Sequence, residues 1–278
     1  MNILPTWAAG QDQSMPVHGN ERGVFPSWPG KGQPPAPVSG GDRPAKRIVA
    51  TGALAALVLE FDDVLCDATH WQRWLWQVLS RVGVQRDFES FSHIWQRGYL
   101  VEVQRGGRDF AESLRMFLVD WGLPAGQIDE LEAASAARRR EMLQHLRPLP
   151  GVVSTLTRLA DAGVTLAVLA NSESTAHELN ERIERLGLTG RFRAVLSSRD
   201  LGCMKPEPAS YQSALDRIGL PPQTVAFVGC VAEHLQGAAN VGMSAVAINC
   251  PAARTASHSL SHFDELTNLF SPPTAASI

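Results

Sequence analysis

The strongest constraint on this chain is a recurrence of short, unbroken apolar runs of strand length. They are ALAALVLEF ahead of Asp62, VTLAVLA at 164–170, FRAVLSS at 192–198, TVAFVG at 224–229 and SAVAIN at 244–249. A strand with one face in water alternates apolar and polar residues, so runs that do not alternate belong to a sheet covered on both faces. The covers lie in the intervals. Val152, Leu156 and Leu159 share one helical face, as do Leu179, Ile183 and Leu186, and then Tyr211, Ala214, Leu215 and Ile218. Strands alternating with helices, joined by short turns holding Gly163 or Gly187, specify an α/β fold built on a doubly wound parallel sheet.

Between the first run and the rest, residues 68–147 never read as strand. HWQRWLWQVLSRVG, FSHIWQRGYLVEVQR, DFAESLRMFLVDWG and IDELEAASAARRREMLQHL each carry apolar residues at helical spacing. This is a helical insertion after strand one, and Trp71, Trp74, Trp76 and Trp95 supply its core. The α/β core then comprises 54–67 and 148–270, closed by a short helix in SHFDELTNLF. Residues 1–53 are dense in Pro and Gly without periodicity, which reads as a disordered leader, and 271–278 read as a frayed tail. Trp7, Phe25 or Trp28 would be the anchors if the leader docks on a protein partner, whose nature the sequence leaves unknown.

A net charge of -3 without a dense Lys/Arg stripe excludes nucleic acid as a partner. The longest apolar stretch, 48–59, is broken by Thr51 and Gly52 and falls short of the roughly 20 residues that cross a bilayer, so no membrane partner is expected. Cys66, Cys203, Cys230 and Cys250 form no CxxC pair and no secretory leader precedes them; a reduced, cytoplasmic chain is the expectation.

In an open parallel sheet, ligands bind beyond the carboxyl ends of the strands. The residues found there are Glu60 and Asp62 after the first run, Asn171 and Ser172 after the second, and Gly229 and Cys230 after the fourth, with Lys205 in CMKPEP ahead of a helix. The order of DDVLCD, PLPGVVSTLTRLADAGVTLAVLANS, MKPEPASYQSAL and VAFVGCVAEHLQGAANVGM resembles the haloacid dehalogenase-like (HAD) superfamily over about residues 54–270. The spacing is similar to the subfamily with an α-helical cap between its first and second motifs, which includes phosphoglycolate phosphatases and haloacid dehalogenases. On that resemblance the insertion 68–147 is the cap and the sheet is a HAD-like Rossmannoid core.

The resemblance assigns roles position by position. The family's attacking Asp falls on Glu60 and its acid/base Asp on Asp62, while Asp63 and Val64 replace a Gly and a Thr. An extra methylene displaces the Glu60 oxygens, and a displacement of that size costs on the order of 10²-fold in a positioned reaction. The hydroxyl of the second motif is replaced by Ala170; Asn171 matches, and Ser172 either reaches the substrate or begins the next helix. Lys205 matches the third motif, as a catalytic or phosphate-binding ammonium or as the counter-ion of a buried carboxylate. The two metal-holding acids of the fourth motif have become Cys230 and His234.

Mg²⁺ requires oxygen ligands, so no firm metal site is expected, the family positions being Glu60, Cys230 and His234. No cofactor is expected: Mg²⁺ would serve only an active site, and Zn²⁺ on the N and S donors is the alternative. These departures favour an impaired pseudophosphatase, acting as a binding or regulatory module for a small phosphorylated or anionic ligand. The alternative is an active phosphomonoester phosphatase using Glu60, Asp62 and Lys205, ahead of a dehalogenase or a zinc- or thiol-based enzyme built on Cys230.

Overall fold

The computed structural model describes residues 54–67, 70–248 and 256–270; the leader 1–53 and tail 271–278 lie outside the described residues. The chain enters as β1 (Ala56–Leu59), all four residues buried. It then runs through α1 (His70–Arg81), α2 (Phe88–Trp95), a π-helical turn at Gln96–Leu100, α3 (Val101–Gln104), α4 (Phe110–Asp120) and α5 (Ala125–Gln144) before returning to the sheet. Asp87 and Asp109 start α2 and α4 as N-caps, their carboxylates accepting from otherwise orphaned backbone N–H groups. The insertion has a core of its own in Trp71, Trp74, Trp95, Phe91, Phe117 and Leu131, with rings meeting edge to face, as at Trp95 and Phe117. Trp71, Trp74 and Trp95 are core residues, Trp71 and Trp95 also lining the cavity above the sheet, and Trp76 is partly buried against that core.

The second half alternates α6 (Val152–Asp161), β2 (Thr165–Ala170), α7 (Ala176–Arg185), β3 (Ala194–Ser197), α8 (Ser198–Leu201), α9 (Pro208–Ile218), β4 (Val225–Gly229), α10 (Ala232–Asn240) and β5 (Ser244–Ile248). With a sixth strand, β6 (His258–Leu260), the strands form one parallel sheet in the order β3-β2-β1-β4-β5-β6. Alternate residues of β1 serve opposite faces: Leu57 and Leu59 pack with α6 and α7, Ala56 and Val58 with α9 and α10. Each such fully buried Leu or Val contributes about 1.5–3 kcal/mol.

All five apolar runs are strands. The sixth strand, β6 (His258–Leu260), is mostly exposed at the sheet edge, and its HSL carries no apolar run to reveal it. The closing helix is a 3₁₀ run, Phe263–Leu269, which buries Phe263 and Leu266 against the sheet.

Because β1 sits between β2 and β4, the chain reverses its direction of winding at this strand. The loops that follow β1, β2 and β4 therefore meet above one point of the sheet.

Candidate active site

Glu60 is the first residue past β1 and is 4% exposed. Its carboxylate turns towards the end of β4. There a Cβ on Gly229 would stand 2.8 Å from Glu60 Oε2, so only glycine leaves room for the longer acid. Oε2 accepts from the Cys230 backbone N–H at 3.0 Å, and Cys230 Sγ lies at 3.7 Å. Oε1 meets His234 Nδ1 at 2.5 Å and Lys205 Nζ at 3.3 Å. Burial alone would raise this carboxyl, but Lys205, His234 and the Cys230 N–H bring it down to about 2. Glu60 is therefore a carboxylate with both oxygens engaged, and it is not among the residues lining the cavity above it.

Lys205 is held on two sides. Its ammonium donates to the Leu169 carbonyl at 2.5 Å, and its backbone is clamped by Asn171, whose Oδ1 accepts from Lys205 N and whose Nδ2 donates to Lys205 O, both at 2.9 Å. At 2% exposure the ammonium needs a buried anion, and Glu60 is that anion.

Asp62, two residues further, has the opposite surroundings. It lines a cavity of about 1170 Å³ between the sheet ends and the insertion, together with Asp63, Asn171, Glu173, Lys205, His234 and the arginines of the insertion. Burial, then the charges of Glu173 and Asp63, push its carboxyl up to about 7, partly offset by Arg182 and Lys205. The backbone turns at Asp63, where φ is +59°, in the left-handed region that glycine takes most readily and Asp tolerates better than most residues. Asp63, which the resemblance places at the family's glycine, thus holds a conformation that glycine would take readily.

The sequence left four residues of this site unidentified. Glu173 pairs with Arg139 of α5 at 2.8 Å, and Arg139 lies over the Phe110 ring at 3.5 Å. Burial would raise the Glu173 carboxyl, yet Arg139 and Arg182 hold it below the usual range. Gln104, at the end of α3, donates to the Asn171 carbonyl at 3.1 Å and accepts, through its own carbonyl, from Ser198 Oγ at 2.6 Å. Glu173 adjoins the second motif, the one local signal available; the arginines and Gln104 belong to helices whose periodicity reports only their buried faces.

Other expectations change. Ser172 is buried and its Oγ accepts from Ser174 N at 3.1 Å; it does not line the cavity, so it is placed as a turn residue and not as a substrate ligand. Nor does it cap α7: Thr175 does, in a capping box with Glu178. Ala170 is core. Cys230 Sγ lies 3.7 Å from Glu60 Oε2.

The resemblance implies Mg²⁺ here, and the donors present do not fit it. The one carboxylate at the family's positions has both oxygens engaged within the protein, and the others are a thiol and an imidazole. Among the described residues no group of three or more His, Cys, Asp or Glu is placed to hold a metal, which also leaves the zinc alternative without a ligand set. Among them, too, no helix is long and apolar enough to cross a membrane.

Comparison with known proteins agrees with this architecture. Over 105 residues the chain is 36% identical to glyceraldehyde 3-phosphate phosphatase of Methanothermobacter thermautotrophicus, a match covering 37% of this chain and 46% of that protein. Phosphoglycolate phosphatase of Agrobacterium fabrum is 29% identical over 163 residues, 58% of this chain and 65% of the relative. Each match thus spans less than two thirds of the relative's own length. A crystal structure of a dehalogenase superposes with a TM-score of 0.57 at 26% identity, covering 78% of this chain and 96% of that one. The family model described as haloacid dehalogenase-like hydrolase matches residues 110–248, half of the sequence, and the chain belongs to that family.

Proposed function

We propose that the cavity takes a small phosphorylated compound, with α1 to α5 as its cap, and that the chain is a phosphomonoester hydrolase in which Asp62 serves as acid and base. The observation that carries this reading is Asp62 itself: a carboxyl on the cavity wall, pushed up to about 7, exchanges a proton near neutral pH. Phosphatases and haloacid dehalogenases both stand among the relatives, so the choice of a phosphoryl group rests on the lining of the cavity, where Lys205 and the arginines of the insertion suit a phosphoryl anion. Lys205 supplies the cation against which the anionic group settles.

On the family pattern, a Glu60 oxygen attacks phosphorus, the ester P–O bond breaks, and the leaving oxygen takes the Asp62 proton. Asp62 then removes a proton from the water that releases phosphate. Glu60 reaches phosphorus only if His234 moves off its Oε1, so turnover should be slow.

A second reading, a binding module without turnover, is favoured by that same engagement of both Glu60 oxygens. Hydrolysis of p-nitrophenyl phosphate by the purified chain decides between them. Turnover lost by about 10²–10⁴-fold in Asp62→Asn supports the hydrolase. Inorganic phosphate bound in calorimetry without any turnover supports the module, and neither binding nor turnover removes both.

A further inference from the structure

The residue at the family's second metal-holding position makes a defined set of bonds. His234 Nδ1 lies 2.5 Å from Glu60 Oε1, and its other ring nitrogen, Nε2, lies 3.4 Å from Asn171 Nδ2. The orientation of that amide is not free. Asn171 Oδ1 receives the Lys205 backbone N–H and Nδ2 donates to the Lys205 carbonyl, so a flipped amide would place donor against donor and acceptor against acceptor. With one Nδ2 hydrogen spent on the Lys205 carbonyl, the other is available to Nε2 at 3.4 Å; an accepting Nε2 leaves the imidazole proton on Nδ1, beside Glu60.

We propose that His234 is a positioning residue that stands in for the divalent cation of the family: a fixed Nδ1–H donor, its tautomer selected by Asn171, that holds Glu60 in place and makes this site metal-independent. Lys205 and the Cys230 N–H supply the rest of the electropositive shell. Of these three groups around Glu60, one is a main-chain N–H, one an ammonium tied to the Leu169 carbonyl and one a ring facing the clamped Asn171 amide, which is how a preorganised shell is built. The inference holds whether the pocket turns its ligand over or only binds it, because every readout below is independent of turnover.

Two measurements on the unmodified full chain test it. Long-range ¹H–¹⁵N NMR should show His234 as the Nδ1–H tautomer, shifting towards Nε2–H when Asn171→Leu removes the selecting donor. Titration with Mn²⁺, followed by its electron paramagnetic resonance signal, should show no site at millimolar ion, and Cys230→Asp with His234→Asp should create one. His234→Gln, which keeps an N–H donor, should retain most of the thermal stability that His234→Leu loses; equal losses would mean a packing role alone. An Nε2–H tautomer in the unmodified chain, or one Mn²⁺ per chain bound there and lost in His234→Gln, overturns the proposal. Should the double aspartate variant fail to fold, the spectra and titration of the unmodified chain decide alone.

Discussion

Glu60 and Asp62 leave the same strand two residues apart and end in opposite states. Glu60 points under the loop after β4, into a shell of Lys205, His234 and the Cys230 N–H, and is held down to about 2. Asp62 points into the cavity beside Glu173 and Asp63, and is pushed up to about 7. Both are taken from water, which raises any carboxyl; the sign of the outcome is set by which charges stand around each. The difference separates a carboxylate held on both oxygens from a carboxyl that exchanges a proton near neutral pH. In the family pattern both belong to the reacting centre, whereas here only Asp62 faces the cavity.

The largest effect should come from breaking the Glu60 side. Lys205→Met leaves Glu60 with one ammonium fewer in a buried site, and loss of one partner of a buried pair costs about 3–5 kcal/mol. For a domain of this size that is a fall of roughly 10 °C in Tm, read by calorimetry, and adding Glu60→Gln should recover part of it. A fall no larger than that of a surface pair would erase the distinction between the two acids.

The comparison sharpens as a pH experiment. Glu60 moves from 4.5 unfolded to about 2 folded, so its contribution is fully present above 4.5 and is lost as pH falls through 2; it amounts to about 3 kcal/mol. Asp62 moves from 3.8 unfolded to about 7 folded, the reverse sign: the fold prefers its neutral form, and that contribution is full below 3.8 and lost as pH rises through 7. Denaturant titrations should therefore show Asp62→Asn matching the parent near pH 4 and exceeding it above pH 7 by about 1–3 kcal/mol, discounted because Asp62 is only partly covered. Glu60→Gln should lose ground to the parent between pH 2 and 4.5. Parallel curves for the two variants would show that their surroundings are alike.

The smallest effect belongs to the rim. Arg105 and Glu207 pair between the cap and the core, both partly exposed, and Glu207→Gln should cost no more than about 1 kcal/mol, diminishing with salt.

The five buried runs announced the sheet because a strand covered on both faces must be apolar throughout, and that demand is local. β6 escaped notice because an exposed edge strand makes no such demand. At the site, Glu60, Asp62, Asn171 and Cys230 stand out by following buried runs, whereas Lys205 and His234 are reached only through the resemblance to the family's motifs. Ser172 was misread, since its burial and its bond to Ser174 depend on how the loop closes on Ser198. Arg139 could not be read at all: its pairing with Glu173 joins residues 34 positions apart in the chain, on elements with independent periodicities.

What the sequence by itself determined is the sheet, its helical insertion and the residue types that follow each strand. The tertiary structure alone decided what those residues do. It closed a thiol, an imidazole and an ammonium around Glu60 and left Asp62 facing the cavity, because charge and burial act through distance in space, and β1, β2 and β4 bring together loops that the chain keeps far apart.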